Sequence, residues 1–228
     1  MIKAAQATDE TRTLTESAYR LIRSDILSGL VAPKDKLHIS DLSQRHGTSA
    51  SAIREALSRL VSEGLATMKE QKGFRVAPMS VREFKEITDL RVMLETEAIR
   101  RALALGGDEW ESNIVATYYR LARAEERLAS GDNESISDWE IRHRDFHDAL
   151  VGACDSQWLL RLRSLLYDHS RRYRKRSLLG GPLRRDSSVE HQTLQTTALA
   201  RETEKACALI AQHFLKTYET YRANVEVS

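Results

Sequence analysis

Between Ile39 and Pro78 the spacing of apolar residues changes from a helical to a strand-like pattern. Ile53, Ala56, Leu57, Leu60 and Val61 recur at i, i+3, i+4, i+7 and i+8, one apolar stripe that predicts an amphipathic helix. Ser49 or Ser51 can cap its start by offering a side-chain oxygen to the first amides. A shorter helix is expected ahead of it, capped by Ser40 and stopped at the tight turn His46-Gly47-Thr48. Two short strands are expected after it, over 66–70 and 74–77, joined through Gln71-Lys72-Gly73. Upstream, residues 15–28 place Ala18, Leu21, Ile22 and Ile26 on one side and end at Gly29, as in a helix that covers the stripe. Residues 1–13 are polar and aperiodic, and a disordered arm is expected there. Helix, turn, helix and hairpin in this order describe a winged helix over residues 14–78.

Residues 79–228 show helical periodicity broken by loop signals and no strand pattern. Helices are expected over 81–105, 108–130, 135–153, 156–179, 184–200 and 201–223. The breaks fall at Gly106-Gly107, Ser130-Gly131-Asp132-Asn133, Cys154-Asp155 and Gly180-Gly181-Pro182. Six antiparallel helices of this length form a bundle with room for a ligand between them. The expected fold class is mainly α: an N-terminal winged helix-turn-helix domain and a C-terminal antiparallel α-helical bundle.

Composition changes this picture little. The chain has 228 residues, 41% hydrophobic and 30% charged, as in an ordinary soluble protein of one large or two modest domains. Its apolar runs are too short to span a bilayer, and the N-terminus lacks a signal-peptide core. Cys154 and Cys207 lie far apart in no CxxC pattern, which reads as reduced thiols and a cytoplasmic location. The net charge of +2 is uneven: residues 1–80 carry 12 Lys+Arg against 9 Asp+Glu, the rest 23 against 24. The positive excess sits with the winged helix, as expected of a DNA reader.

On the predicted reading helix, the face opposite the stripe carries Ser51, Glu55, Ser58 and Arg59, with Arg54 on the flank. A polar face with forked guanidinium groups suits the major groove and its phosphate walls. In the bundle, His143 and His147 lie four residues apart on one face with Trp139, Phe146 and Leu150, so the pair points inward. His191 shares a side with Leu194 and Ala198, and His213 with Ala206, Leu209 and Ile210. Four inward imidazoles from three helices suit a borderline metal such as Zn(II) or Ni(II), or equally a set of hydrogen-bonded core histidines. HRDFH lacks the glutamate of a zinc protease HExxH, and no inward carboxylate or nucleophile is visible beside the histidines at usable spacing.

Arg91 shares a sector with Phe84, Ile87, Leu94 and Ala98. A cation on an apolar stripe requires a partner: Glu95 one turn on, or the carboxylate of a bound small molecule. His169, Arg172 and Tyr173 share a face with Trp158, Leu162 and Leu165, lining the same cavity or packing at a surface. The basic run over 171–176 reads as a solvated helix face rather than a nucleic-acid patch.

SASAIREALSRLVSEGL followed by KGFRV resembles the DNA-binding half of the GntR family of bacterial transcription regulators. Ser49, Ile53, Arg54, Glu55, Ala56, Leu57, Leu60, Gly64, Leu65, Gly73, Phe74 and Val76 carry the match. Ala50 and Ala52 stand where the family often has Arg and Pro, and Pro33-Lys34-Asp35 where it usually has Pro-Gly, which leaves the operator sequence open. The C-terminal half resembles the FCD ligand-binding domain of the FadR-type branch, with a helix count closer to its VanR-like variety. Phe146-His147, Glu190-His191 and His213 match three of that domain's metal ligands. His143 takes the place of its usual aspartate, which favours Zn or Ni over the harder Mn. The same domain places an arginine in the R-x-x-L-E setting of Arg91 for effector contact.

The expectation is a non-enzymatic transcription regulator. Ser49, Ser51, Arg54, Arg59, Lys72 and Gly73 meet double-stranded operator DNA, and His143, His147, His191 and His213 hold a divalent metal. Arg91 meets a small carboxylate effector. A single winged helix covers too little DNA for tight binding, so a homodimer on a two-fold-related site is expected, without membrane contact. The rivals are a metal-dependent enzyme joined to a DNA-binding module, and a regulator whose metal is purely structural.

Overall fold

A computed structural model describes the backbone of residues 2–69, 71–130, 135–180 and 187–227, and the side chains of 14–69, 71–130, 135–176 and 187–226. The chain divides into two compact units, Met1–Ser80 with Arg171–Arg176, and Val81–Ser170 with Ser177–Ser228.

In the first unit α1 (Ile2–Leu27), α2 (Ile39–His46) and α3 (Ala50–Ser62) accompany three short strands, β1 (Lys36–Leu37), β2 (Ala66–Lys69) and β3 (Gly73–Val76). Ile53, Ala56, Leu57 and Leu60 of the predicted stripe are fully buried and pack on Ala18, Ile22 and Ile26 of α1. Leu21, expected on that side, is 47% exposed, because i, i+4 and i+8 already fill the contact and i+3 falls at its edge. α1 begins at Ile2 rather than after an arm over 1–13; Ala4, Ala5 and Ala7 supply helix propensity where apolar periodicity is missing.

Ser49 is the cap of α3: its Oγ accepts from the Ala52 amide at 3.2 Å, while Ser51 Oγ lies 2.9 Å from Ser49 Oγ. The cap expected at Ser40 is not formed. α2 starts from His38 without a side-chain cap, because β1 delivers the chain into the helix two residues earlier. Gly47 ends α2 at φ 59°, a left-handed turn that glycine adopts without a Cβ penalty. The sheet order is β1-β3-β2, all antiparallel, with Leu37 opposite Phe74 and Lys69 opposite Gly73. β1 was not foreseen, since a two-residue strand carries no period.

In the second unit α4 (Val81–Leu105), α5 (Asp108–Ala129), α6 (Ile136–Leu150), α7 (Gln157–Gly180, whose Arg171–Arg176 fall in the first unit), α8 (Ser188–Leu199) and α9 (Thr203–Val227) follow the predicted helices closely. Gly131-Asp132-Asn133, the break at Gly181-Pro182 and the expected start at Arg184 lie outside the described residues. Phe146, Ile114, Leu121 and Ile210 lie in one apolar core, and Phe84 meets Tyr221 edge-on, joining α4 to α9. Of the described helices, none is long and apolar enough to cross a membrane.

The Gly106-Gly107 break has a steric origin. A Cβ on Gly106 would lie 2.5 Å from the Trp110 ring and 2.9 Å from Ala102 O, whereas one on Gly107 meets nothing within 4 Å. Gly106→Ala is expected to lower stability by about 1–3 kcal/mol in urea unfolding, as overpacking does. Gly107→Ala should cost less; equal losses would show that the Trp110 contact does not set the limit.

Candidate metal centre and DNA-reading helix

α6 presents His143 and His147 one turn apart, α8 presents His191, and α9 presents His213. The four side chains converge: one ring nitrogen from each lies within 4.8 Å of the others, and all four residues are at most 3% exposed. Ring centroids of His143 and His147 are 4.4 Å apart, and those of His191 and His213 4.8 Å. Trp139 lies against His143, while Phe146 and Phe214 close around His147.

Three of the imidazoles have Nδ1 engaged from outside the cluster. His143 Nδ1 is 2.9 Å from the Tyr167 hydroxyl of α7, His191 Nδ1 is 2.6 Å from Glu125 Oε1 of α5, and His213 Nδ1 is 2.9 Å from Glu190 Oε2 of α8. A carboxylate at Nδ1 fixes the tautomer with the proton on that nitrogen and leaves Nε2 as a lone-pair donor, the usual support of a metal-ligating histidine. Among the described residues neither His147 nitrogen nor His191 Nε2 has a hydrogen-bond partner. Buried polar atoms are nearly always satisfied, so these nitrogens suit an ion supplied from outside the chain. The donor set therefore fits a divalent metal.

Burial pushes the His147 pKa well below the ordinary 6.5, and His213, His191, Arg91 and Arg163 add positive charge in the same direction. Arg91, also buried, donates Nη2 to Glu95 at 3.1 Å and Nη1 to Ser170 Oγ at 2.7 Å. Its guanidinium lies 3.8 Å from the centre of the Phe214 ring. Glu95 thus takes the place expected of it one turn away.

Several residues that complete this site were not singled out from the sequence. Arg163, Tyr167 and Ser170 stand at i, i+4 and i+7 on α7 and reach Glu95, His143 and Arg91 respectively. Glu125 and Glu190 correct the expectation that no inward carboxylate accompanies the histidines, although Glu190 was visible as part of the Glu-His pair. A polar residue inside a mixed helical face gives no periodic signal. Trp158, Leu162 and Leu165, expected beside His169, Arg172 and Tyr173, are exposed at 71%, 47% and 38%. The basic run is not solvated throughout: Arg172, Tyr173 and Arg174 are buried, and Arg172 Nη2 donates to Ala77 O within the first unit. Apolar flanks and a charge run conceal burial of this kind.

Ser49 at the cap of α3 and Ser51 and Arg54 on it are exposed, as are Lys72 in the turn between β2 and β3 and Gly73 at the start of β3. Arg59 is only half-exposed. Its Nη1 donates to Glu16 at 2.8 Å and its guanidinium lies 3.8 Å from the Tyr19 ring centre, so it is committed to α1. Tyr19 in turn donates to Glu63, which also accepts from Arg23 at 3.2 Å. Burial and Glu63 push the Tyr19 phenol up to about 12.

A winged helix and a helical bundle built around buried histidines define a two-part protein that reads DNA and carries a candidate ligand site. Residues 14–76 match the model for bacterial regulatory proteins of the gntR family, and residues 86–216 that for the FCD domain. The HTH-type transcriptional repressor GlaR of Escherichia coli K12 is 40% identical over 86% of this chain and 90% of its own. The HTH-type transcriptional regulator BphR of Paraburkholderia xenovorans LB400 is 36% identical over 92% and 86%. Among solved structures, E. coli McbR/YncC superposes with a TM-score of 0.76 at 20% identity, over 92% of this chain and 97% of that one. The chain belongs to the GntR family, with an FCD domain, and is a DNA-binding transcription regulator.

The depressed His147 pKa fixes the sign of a pH dependence. The unfolded imidazole takes up its proton first as pH falls, so the chelator-treated protein is most stable above about 6.5 and weakens below it. Its denaturation midpoint should fall between pH 7.5 and pH 5.5, and fall less in His147→Gln. An equal fall in both proteins would remove His147 as the cause.

Proposed function

We propose that His143, His147, His191 and His213 hold a divalent metal ion, Zn or Ni by preference, and that a small organic acid bound through it and Arg91 controls operator binding. The observation that carries this reading is the convergence of four buried imidazoles within 4.8 Å, with both His147 nitrogens lacking partners among the described residues. Four neutral nitrogen ligands suit a borderline metal better than a hard one. When bound, the metal supplies a Lewis-acidic anchor for a carboxylate oxygen. Arg91 adds a cation stacked on Phe214, and Tyr167, Glu125 and Glu190 hold three of the imidazole rings in register.

At the DNA, Arg54 reads the major groove, Ser49 and Ser51 meet phosphate at the start of α3, and Lys72 and Gly73 bring the wing tip to the backbone. Arg59 contributes by holding α3 against α1, and reaches phosphate only on release from Glu16. The protein acts in the bacterial cytoplasm as a homodimer on a two-fold-related operator. The acid alters DNA affinity only as far as it binds one conformation more tightly than another.

A structural metal is the second reading, favoured by the near-complete burial of all four rings. It predicts that chelation unfolds the second unit and that no acid changes DNA affinity.

Elemental analysis should find about one Zn or Ni per chain, and His147→Ala should lose most of it. Unchanged metal content in that variant places the ion elsewhere. On DNA selected from a random library by the wild-type protein, Arg54→Ala should weaken binding by about 1–3 kcal/mol and reduce the salt dependence. Arg59→Ala should instead lower the melting temperature of the protein. A swap of these two outcomes would reassign the reading residue.

A further inference from the structure

The exposed face of α3 carries Ala50, Ser51, Arg54, Glu55 and Ser58, while Ala52, Ile53, Ala56, Leu57 and Leu60 are buried beneath it. Arg54 and Glu55 are the two exposed charged side chains of the helix, and Glu55 is its one acidic residue. The partners that helical spacing offers Glu55 are engaged elsewhere. Arg59, four residues on, donates Nη1 to Glu16 at 2.8 Å and lies over the Tyr19 ring. Ser58 Oγ donates to the Arg54 carbonyl at 2.9 Å, and Ser51 Oγ lies 2.9 Å from Ser49 Oγ. Among the described residues the Glu55 carboxylate has no hydrogen bond or ion pair.

A carboxylate carried into a groove walled by phosphates is repelled by them and loses its water. When ionised it accepts hydrogen bonds and donates none. Its entry is favourable only where a base edge offers a donor, and the major groove has two, cytosine N4 and adenine N6. Adenine N6 lies between acceptors, its own N7 and thymine O4, and both repel a carboxylate. Cytosine N4 has an acceptor on one side alone, guanine O6 of its own pair. That oxygen, together with guanine N7, is the bidentate target of a guanidinium. Arg54 and Glu55, consecutive on one exposed face, set a cation beside an anion, which matches the two halves of a C·G edge.

We infer that Glu55 is a base-reading residue that accepts a hydrogen bond from cytosine N4, beside a guanine held by Arg54. The inference rests on the reading of α3 as the helix that enters the major groove. Glu55 then acts in two ways. It selects cytosine at one position, and it weakens binding to every duplex that offers no donor there, because an unpaired carboxylate faces the phosphates. Specificity comes from the second effect as much as from the first.

The test is selection of duplexes from a random double-stranded DNA library by the full-length protein and its variants. The wild-type pool should hold a C·G pair at one position, and replacing that pair should weaken wild-type binding by about 5- to 100-fold. Glu55→Ala should lose the preference at that position alone, and should bind unrelated duplex roughly two- to fivefold more tightly at low salt. Glu55→Gln should prefer adenine there, because an amide both donates to N7 and accepts from N6. A Glu55→Ala pool with the wild-type base at every position overturns the proposal. So does a variant that weakens binding to all duplexes equally, the mark of a merely structural role. If neither Glu55→Ala nor Arg54→Ala alters the selected sequence, the assignment of α3 as the reading helix fails. A change with Arg54→Ala alone removes only the role of Glu55.

Discussion

Burying four imidazoles at one point constrains the whole bundle. Each ring carries two polar nitrogens, and leaving such atoms without a partner in a dry interior costs on the order of 1–3 kcal/mol apiece. The chain satisfies three of them from a second circle of residues on α5, α7 and α8: Glu125, Tyr167 and Glu190. The rings themselves come from α6, α8 and α9, so five helices must keep register for the cluster to exist. The remaining helix, α4, is tied in through Arg91 and Glu95, which meet Ser170 and Arg163 of α7. The polar centre thus specifies the arrangement of a bundle that apolar packing alone would leave less determined.

That centre is also where charge accumulates. A salt bridge buried this deeply gains little net stability, because desolvation offsets most of the attraction. The Arg91–Glu95–Arg163 group is therefore weak evidence for stability.

The DNA-reading unit uses the same means at smaller scale. α3 is held to α1 by the apolar stripe and by a polar seam in which Arg59 pairs with Glu16 and stacks on Tyr19, while Tyr19 and Arg23 share Glu63. Ser49 closes the helix start, and Gly47 provides the left-handed turn before it. Side chains from the stripe fix where α3 sits, and the seam fixes its rotation, leaving Arg54 exposed.

Local period and chemistry were enough to predict the winged helix, the six bundle helices and the inward histidines, because each depends on spacing within one element. Ile53 to Leu60 had to be buried together, and His143 with His147 had to share a face. The sequence also carried the family, through residues packed along α3 and the wing. Tertiary structure decided everything that depends on what lies opposite. Arg59, expected on the reading face, pairs with Glu16 and stacks on Tyr19 because both face it from α1. Arg172 and Arg174 proved buried within a run that looks solvated. Glu125, Tyr167 and Arg163 joined the site from helices whose polar residues show no period. An inward-facing side chain is a property of its own helix, but its partner belongs to another, at a distance along the chain that no local pattern encodes.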